Sequence, residues 1–91
     1  MNETARKQIF FAPVPEYPYT MRSKHVEGKG VFELFFDYDS GNMREVRVVI
    51  STGSQMLDAA ALSTFRKWKA KPHAVKAPIL MPVAFTMTRP R

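Results

Sequence analysis

Ninety-one residues are enough for one domain, and a hydrophobic fraction of 45% with 12% aromatic residues excludes a disordered tail. The absence of cysteine removes disulfide frameworks, thiolate zinc sites and cysteine nucleophiles; no apolar run approaches the ~20 residues that cross a bilayer. The net charge is +6, and no acidic residue follows Asp58, whereas Arg66, Lys67, Lys69, Lys71, Lys76, Arg89 and Arg91 do, a bias that suits either a solvated basic face or an anionic partner.

Residues 1–14 read as a flexible arm, 15–88 as the folded domain and 89–91 as a tail. The apolar patch IFFA within the arm is too short to be the core of a secretion signal. Pro13, Pro15 and Pro18 stiffen the lead-in, because proline fixes its own φ and disfavours helix in the residue before it. Pro18 also suits the start of a helix, which the pattern predicts over Tyr19–His25, ended by Gly28 and Gly30.

Val31–Tyr38 alternates as a strand, with Phe32, Leu34, Phe36 and Tyr38 on one face. DYDSGN is turn chemistry. Arg44–Ser51 alternates again, setting Val46, Val48 and Ile50 against Glu45, Arg47 and Val49, so the two segments form an antiparallel hairpin. Ser54 or Thr52 caps the next helix, and Asp58 lies near its positive end. That helix is expected to reach about Lys69, where Pro72 stops it. Its phase places Leu57, Ala60, Ala61, Thr64, Phe65 and Trp68 on one side. Lys67 and Lys69 then match the negative end of the helix dipole.

Pro78–Thr88 is the last strand, and Pro82 confines it to an edge because proline cannot donate to an inner ladder. The order is helix, strand, strand, helix, strand. It describes an α+β domain in which a three-stranded antiparallel sheet carries two helices on one face.

No catalytic set emerges. His25 and His73 are isolated, Asp37 and Asp39 flank a turn, and no metal-ligand or phosphate-cradle spacing is present, so no cofactor is expected. RKWKAK interleaves cations with an aromatic, as single-strand binders do. The helical phase, however, turns Trp68 inward and leaves the cations without a stacking platform. Nucleic acid is therefore not the expected partner. The last strand is long, apolar and free of charge up to Arg89. An unprotected edge is a template for a partner's extended peptide, or for a homodimer.

The order and spacing of these motifs resemble the C-terminal domain of TonB-type energy transducers over about Pro15 to Thr88. The residues that carry the resemblance are Tyr17-Pro18, Glu27-Gly28, Phe32-x-Leu34-x-Phe36, Gly41, Val46-x-Val48-x-Ile50, Ser51-x-Gly53, Leu57-Asp58 with Ala60-Ala61, Arg66-x-Trp68, Pro72 and Pro82-Val83-x-Phe85-x-Met87. Gly30 departs from a strand valine of the family pattern, and Ala70 from an aromatic, a loss that would loosen the helix end. The resemblance implies a non-enzymatic periplasmic domain of an inner-membrane-anchored protein whose membrane anchor and proline-rich spacer are not in these residues. It also implies two partners: the TonB box of an outer-membrane TonB-dependent transporter, and an ExbB/ExbD-like complex reached through regions N-terminal to the domain. The implied docking residues are Ile79, Leu80, Met81, Val83, Ala84, Phe85 and Thr86, with Tyr17, Pro18, Gly28, Leu57, Trp68 and Pro72 in structural roles. A TonB-like domain serving a larger envelope sensor or cell-wall-binding protein remains an alternative reading.

Overall fold

The computed structural model describes residues 7–87. It contains β1 (Ile9–Phe11), α1 (Tyr19–Ser23), β2 (Gly28–Phe36), β3 (Met43–Ile50), α2 (Gln55–Phe65), β4 (Lys69–Ala70) and β5 (Ile79–Phe85). β2 lies at the centre of a three-stranded antiparallel sheet in the order β3-β2-β5. The two helices and this sheet make the α+β architecture that the sequence pattern describes.

The core forms where the alternating faces of the strands meet α2. Phe32, Leu34 and Phe36 are buried on β2, Ile79 and Phe85 on β5, and Leu57, Ala61 and Phe65 on α2. Phe65 tilts against Phe32 at 5.5 Å between ring centroids. Burying a large side chain of this kind contributes about 1.5–3 kcal/mol, so a few such residues from three elements dominate the stability of a chain this size.

α1 ends differently from expectation. His25, in the left-handed region at φ 56°, terminates it. The His25 N–H donates to the Arg22 carbonyl at 3.0 Å and the Val26 N–H to the Met21 carbonyl at 2.9 Å, the reciprocal pair of a Schellman stop. Gly28 and Gly30 lie inside β2 instead. A β-carbon would meet the Thr52 carbonyl oxygen at 2.3 Å from Gly28 and the Ile50 carbonyl oxygen at 2.6 Å from Gly30. Both glycines therefore let the end of β3 pass close over β2, which accounts for a glycine where a strand valine was expected.

The hairpin differs in one facing. Val31 pairs with Ile50 and Phe32 with Val48, so Val49 is an extra residue in β3. Val46 stays half-buried, but Val48 is 41% exposed and Ile50 56% exposed. The bulge carries Ile50 to the outer face beside Val31. Tyr38, expected in β2, falls beyond it in the turn.

α2 stops at Phe65, not near Lys69. The Lys67 and Trp68 N–H groups donate three residues back, to Thr64 and Phe65, and the tightened turn releases the chain. Ala70 N–H then reaches the Gly41 carbonyl at 2.8 Å, and Asn42 bridges Lys69. The basic residues consequently do not match the helix dipole, and Pro72 sits in a later turn rather than stopping a helix. Ala70 is only 1% exposed and pairs with Ile9, so the small residue is packed rather than loose. β1 supplies that cover, although Ile9–Phe11 was expected in a flexible arm. Residues 1–6 of the arm, Thr88 and the tail lie outside the described residues.

Trp68 is 7% exposed, as its helical phase indicated, but for another reason. It follows α2, packs edge-on to Phe65 at 4.9 Å and donates its indole N–H to the Pro13 carbonyl at 2.8 Å. At the other end of α2, Ser54 is the N-cap, its hydroxyl accepting from the Leu57 N–H. Asp58 accepts from the Ser51 hydroxyl at 2.5 Å and from the Thr52 hydroxyl and N–H at 2.6 and 2.9 Å. Burial opposes ionisation of Asp58, but these donors outweigh it and hold the carboxyl below its ordinary value.

Two measurements check this packing. In urea unfolding, Trp68→Ala should cost about 3–5 kcal/mol, and Trp68→Phe about 1–2 kcal/mol because the ring stays while the Pro13 bond is lost. A carboxyl depressed in the folded state contributes stability that is complete above its unfolded value of about 4 and is lost as pH falls through the lower folded value. Asp58→Asn should therefore flatten the loss of stability below about pH 4, read as the urea midpoint against pH.

Candidate functional site

Among the described residues β5 is an edge strand. Its register with β2 runs from Gly28 opposite Phe85 to Leu34 opposite Ile79 without a bulge. Proline has no N–H, so the Val31–Pro82 pair cannot be a hydrogen-bonded pair of the ladder. Pro82 therefore turns its nitrogen and carbonyl away from β2. By alternation so do Leu80 and Ala84, opposite Glu33 and Lys29. The free edge thus presents N–H donors at Leu80 and Ala84 and carbonyl acceptors at Leu80, Pro82 and Ala84.

Side chains alternate across the same strand. Ile79 and Phe85 are buried, Met81 and Val83 half-buried, and Leu80, Pro82 and Ala84 exposed. Met81 and Val83 are not fully covered because α2 packs over β2 and β3, and a groove remains beneath β5. Phe65 and Trp68 form its floor, Met81, Val83 and Phe85 one wall, and Ile9, Ala12, Val14 and Pro15 the other. The groove is apolar and adjoins the backbone groups of the free edge.

Neighbouring contacts fix the C-terminal end of the strand. The Tyr17 hydroxyl donates to the Val26 carbonyl, and its ring stands edge-on to Phe85 at 5.5 Å. Pro18 occupies the N-cap position of α1 and accepts at its carbonyl from Met21 and Arg22. The Glu27 carboxylate accepts the Met87 N–H at 2.5 Å, which draws the chain out of the strand line after Phe85. Thr86, included in the expected docking run, lies past the strand and is exposed.

The residues named from sequence thus divide in two. Ile79, Leu80, Met81, Val83, Ala84 and Phe85 lie on one edge strand. Tyr17, Gly28, Leu57 and Trp68 position that strand or the groove floor, whereas Pro72 is an exposed turn residue outside the core cluster. Sequence reasoning missed Ile9, Ala12, Val14 and Pro15. The available signal was the indole of Trp68, since a buried tryptophan N–H needs an acceptor and Pro13 supplies it.

The basic segment has no comparable site. Trp68 is buried, and Lys67, Lys69, Lys71 and Lys76 are exposed around it. Lys76 lies 5.1 Å above the Tyr38 ring, which also meets His73 at 5.2 Å. Phe35 lies under Arg44 and Arg47, on the outer face of the sheet. The aromatic residues are dispersed and do not form one stacking surface.

Comparison with known proteins decides the family. The model for the Gram-negative bacterial TonB protein C-terminal matches residues 13–87. The chain belongs to the TonB C-terminal family. Protein TonB of Vibrio cholerae serotype O1 is 34% identical over 59 residues, covering 65% of this chain and 24% of that protein; the chain spans about a quarter of the relative's length. The solution structure of the Pseudomonas aeruginosa TonB C-terminal domain superposes with a TM-score of 0.73 at 19% identity, covering 91% of this chain and 88% of that one. The TonB C-terminal fold is therefore the fold of this chain.

Glu27→Ala should leave the fold intact and release the Met87 amide. A hydrogen bond worth about 1 kcal/mol corresponds to a roughly fivefold gain in its exchange rate, measured by hydrogen–deuterium exchange.

Proposed function

We propose that the chain is a TonB-like adaptor without catalytic chemistry, which grips an extended segment of an outer-membrane transporter, its TonB box, by strand addition to β5. The observation that carries this reading is the conjunction on one strand of outward backbone groups and an uncovered apolar groove. A peptide laid along Leu80–Ala84 pairs with the free donors and acceptors. Its alternate side chains enter the groove over Phe65 and Trp68. Main-chain bonds give affinity with little demand on sequence, and the groove supplies selectivity.

Force transmission follows from the same arrangement. A transducer must hold its client while being pulled, and parallel hydrogen bonds along a strand share the load. β5 is itself bonded to the central strand β2 along its full length, so tension on the client passes into the sheet rather than into a loop. Family membership supports the remaining parts of the proposal. The domain works in the periplasm as part of an inner-membrane-anchored protein, and it draws proton-motive-force energy through an ExbB/ExbD-like complex. The net charge of +6 steers the domain towards acidic surfaces at the transporter mouth.

NMR titration with TonB-box peptides tests the proposal. The expected result is shift changes in the backbone amides of Leu80, Met81 and Val83–Thr86 and in the Trp68 indole. Changes confined to Lys67–Lys76 would show a charge-driven contact instead and overturn it.

A further inference from the structure

The free edge of β5 does not suit all strands equally. Its outward positions are Leu80, Pro82 and Ala84, and Pro82 is the middle residue of the seven in the strand. Each outward residue ordinarily offers one donor and one acceptor to a facing strand. Pro82 offers only the acceptor.

A second copy of this chain, docking its own β5 against this one, brings a second Pro82. In the centred antiparallel register the two prolines face each other, and the central pair forms neither of its bonds. In a shifted register each proline faces another residue, and two pairs each lose a bond. Parallel pairing also lacks one donor per copy. Self-pairing along the strand therefore lacks two donors in every register that engages more than one of the three outward residues. A foreign strand carries a full set of its own donors and meets a single gap, opposite Pro82. There its carbonyl stays open to water at the sheet margin.

Resting on the adaptor reading above, we infer that Pro82 makes β5 selective for a heterologous strand and bars the domain from dimerising through this edge. Proline is also a general device for blunting sheet edges, but here it interrupts one position and leaves the flanking donors in service. The geometry describes the partner as well. The residue facing Pro82 lies on the outer face, near Val31 and Ile50. The two residues beside it point inward, over Met81 and Val83, into the groove closed by Phe65 and Trp68. The segment that fits is extended, with two apolar side chains separated by one residue of any character that tolerates exposure.

Sedimentation velocity on the described chain and on Pro82→Ala tests this inference without any partner peptide, so it reads out separately from TonB-box binding. The unaltered protein should remain monomeric at millimolar concentration, and Pro82→Ala should form a concentration-dependent dimer. Should the variant fold poorly, the free peptide Ile79–Phe85 serves as the probe on the unaltered protein. Its Pro82→Ala form should bind at least tenfold more tightly than the native form. A monomeric, folded Pro82→Ala protein overturns the inference. So does a dimer that forms with Pro82 in place and cross-links between Leu80→Cys in one copy and Ala84→Cys in the other, or equal binding of the two peptides.

Discussion

The hydrogen bond from the Trp68 indole to the Pro13 carbonyl joins parts of the chain that otherwise have little reason to meet. Trp68 has left α2 and has not yet entered β4, and its own backbone is tied to the helix end by the bond from its N–H to the Phe65 carbonyl. Pro13 has no regular structure around it. Through this bond the N-terminal segment is laid beneath β5, β1 is delivered to β4, and the ring of Trp68 is pressed against Phe65. The same segment supplies the second wall of the groove. The indole is suited to this task because one edge is a donor and the rest is apolar.

The sheet is asymmetric as a result. At the β3 side the edge is interrupted by the Val49 bulge, carries Arg44, Glu45 and Arg47, and is approached at its start by β4. An ion pair between Arg47 and Glu45 at 2.5 Å keeps that side hydrated. These are the features that discourage pairing. At the β5 side the ladder is regular, uncharged and flanked by unfilled apolar space. One sheet thus has a protected edge and a receptive one, and the difference originates in the bulge, the charged side chains and the neighbouring β4 on the β3 side.

Alternation made the three long strands, the α+β class and the edge position of Pro82 legible in the sequence, because a period of two and a missing donor are local properties. Four features were not legible, each for a physical reason. The stop of α1 falls on His25, and nothing local marks a histidine as the left-handed residue when two glycines follow. The end of α2 is set by Ala70 reaching Gly41, a contact between segments distant in sequence. The facing of Ile50 depends on a bulge, which a two-residue period cannot register. β1 is three residues long and is a strand only because β4 is there to receive it. Of the candidate site, the edge was visible and the groove was not, since the groove requires Val14 and Pro15 to be brought back beneath the sheet.

The register of β5 also governs the order in which the sheet can assemble. Phe36 and Met43 are joined by a short turn, so β2 and β3 can meet as soon as that turn closes. Gly28 and Phe85 lie at opposite ends of most of the domain. Bringing them together encloses a far larger loop, whose entropic cost rises with its length. The β2–β3 hairpin therefore closes the short loop of the sheet, and the β2–β5 pairing closes the long one. The strand on which a client depends is thus joined to the sheet through its most sequence-distant pairing.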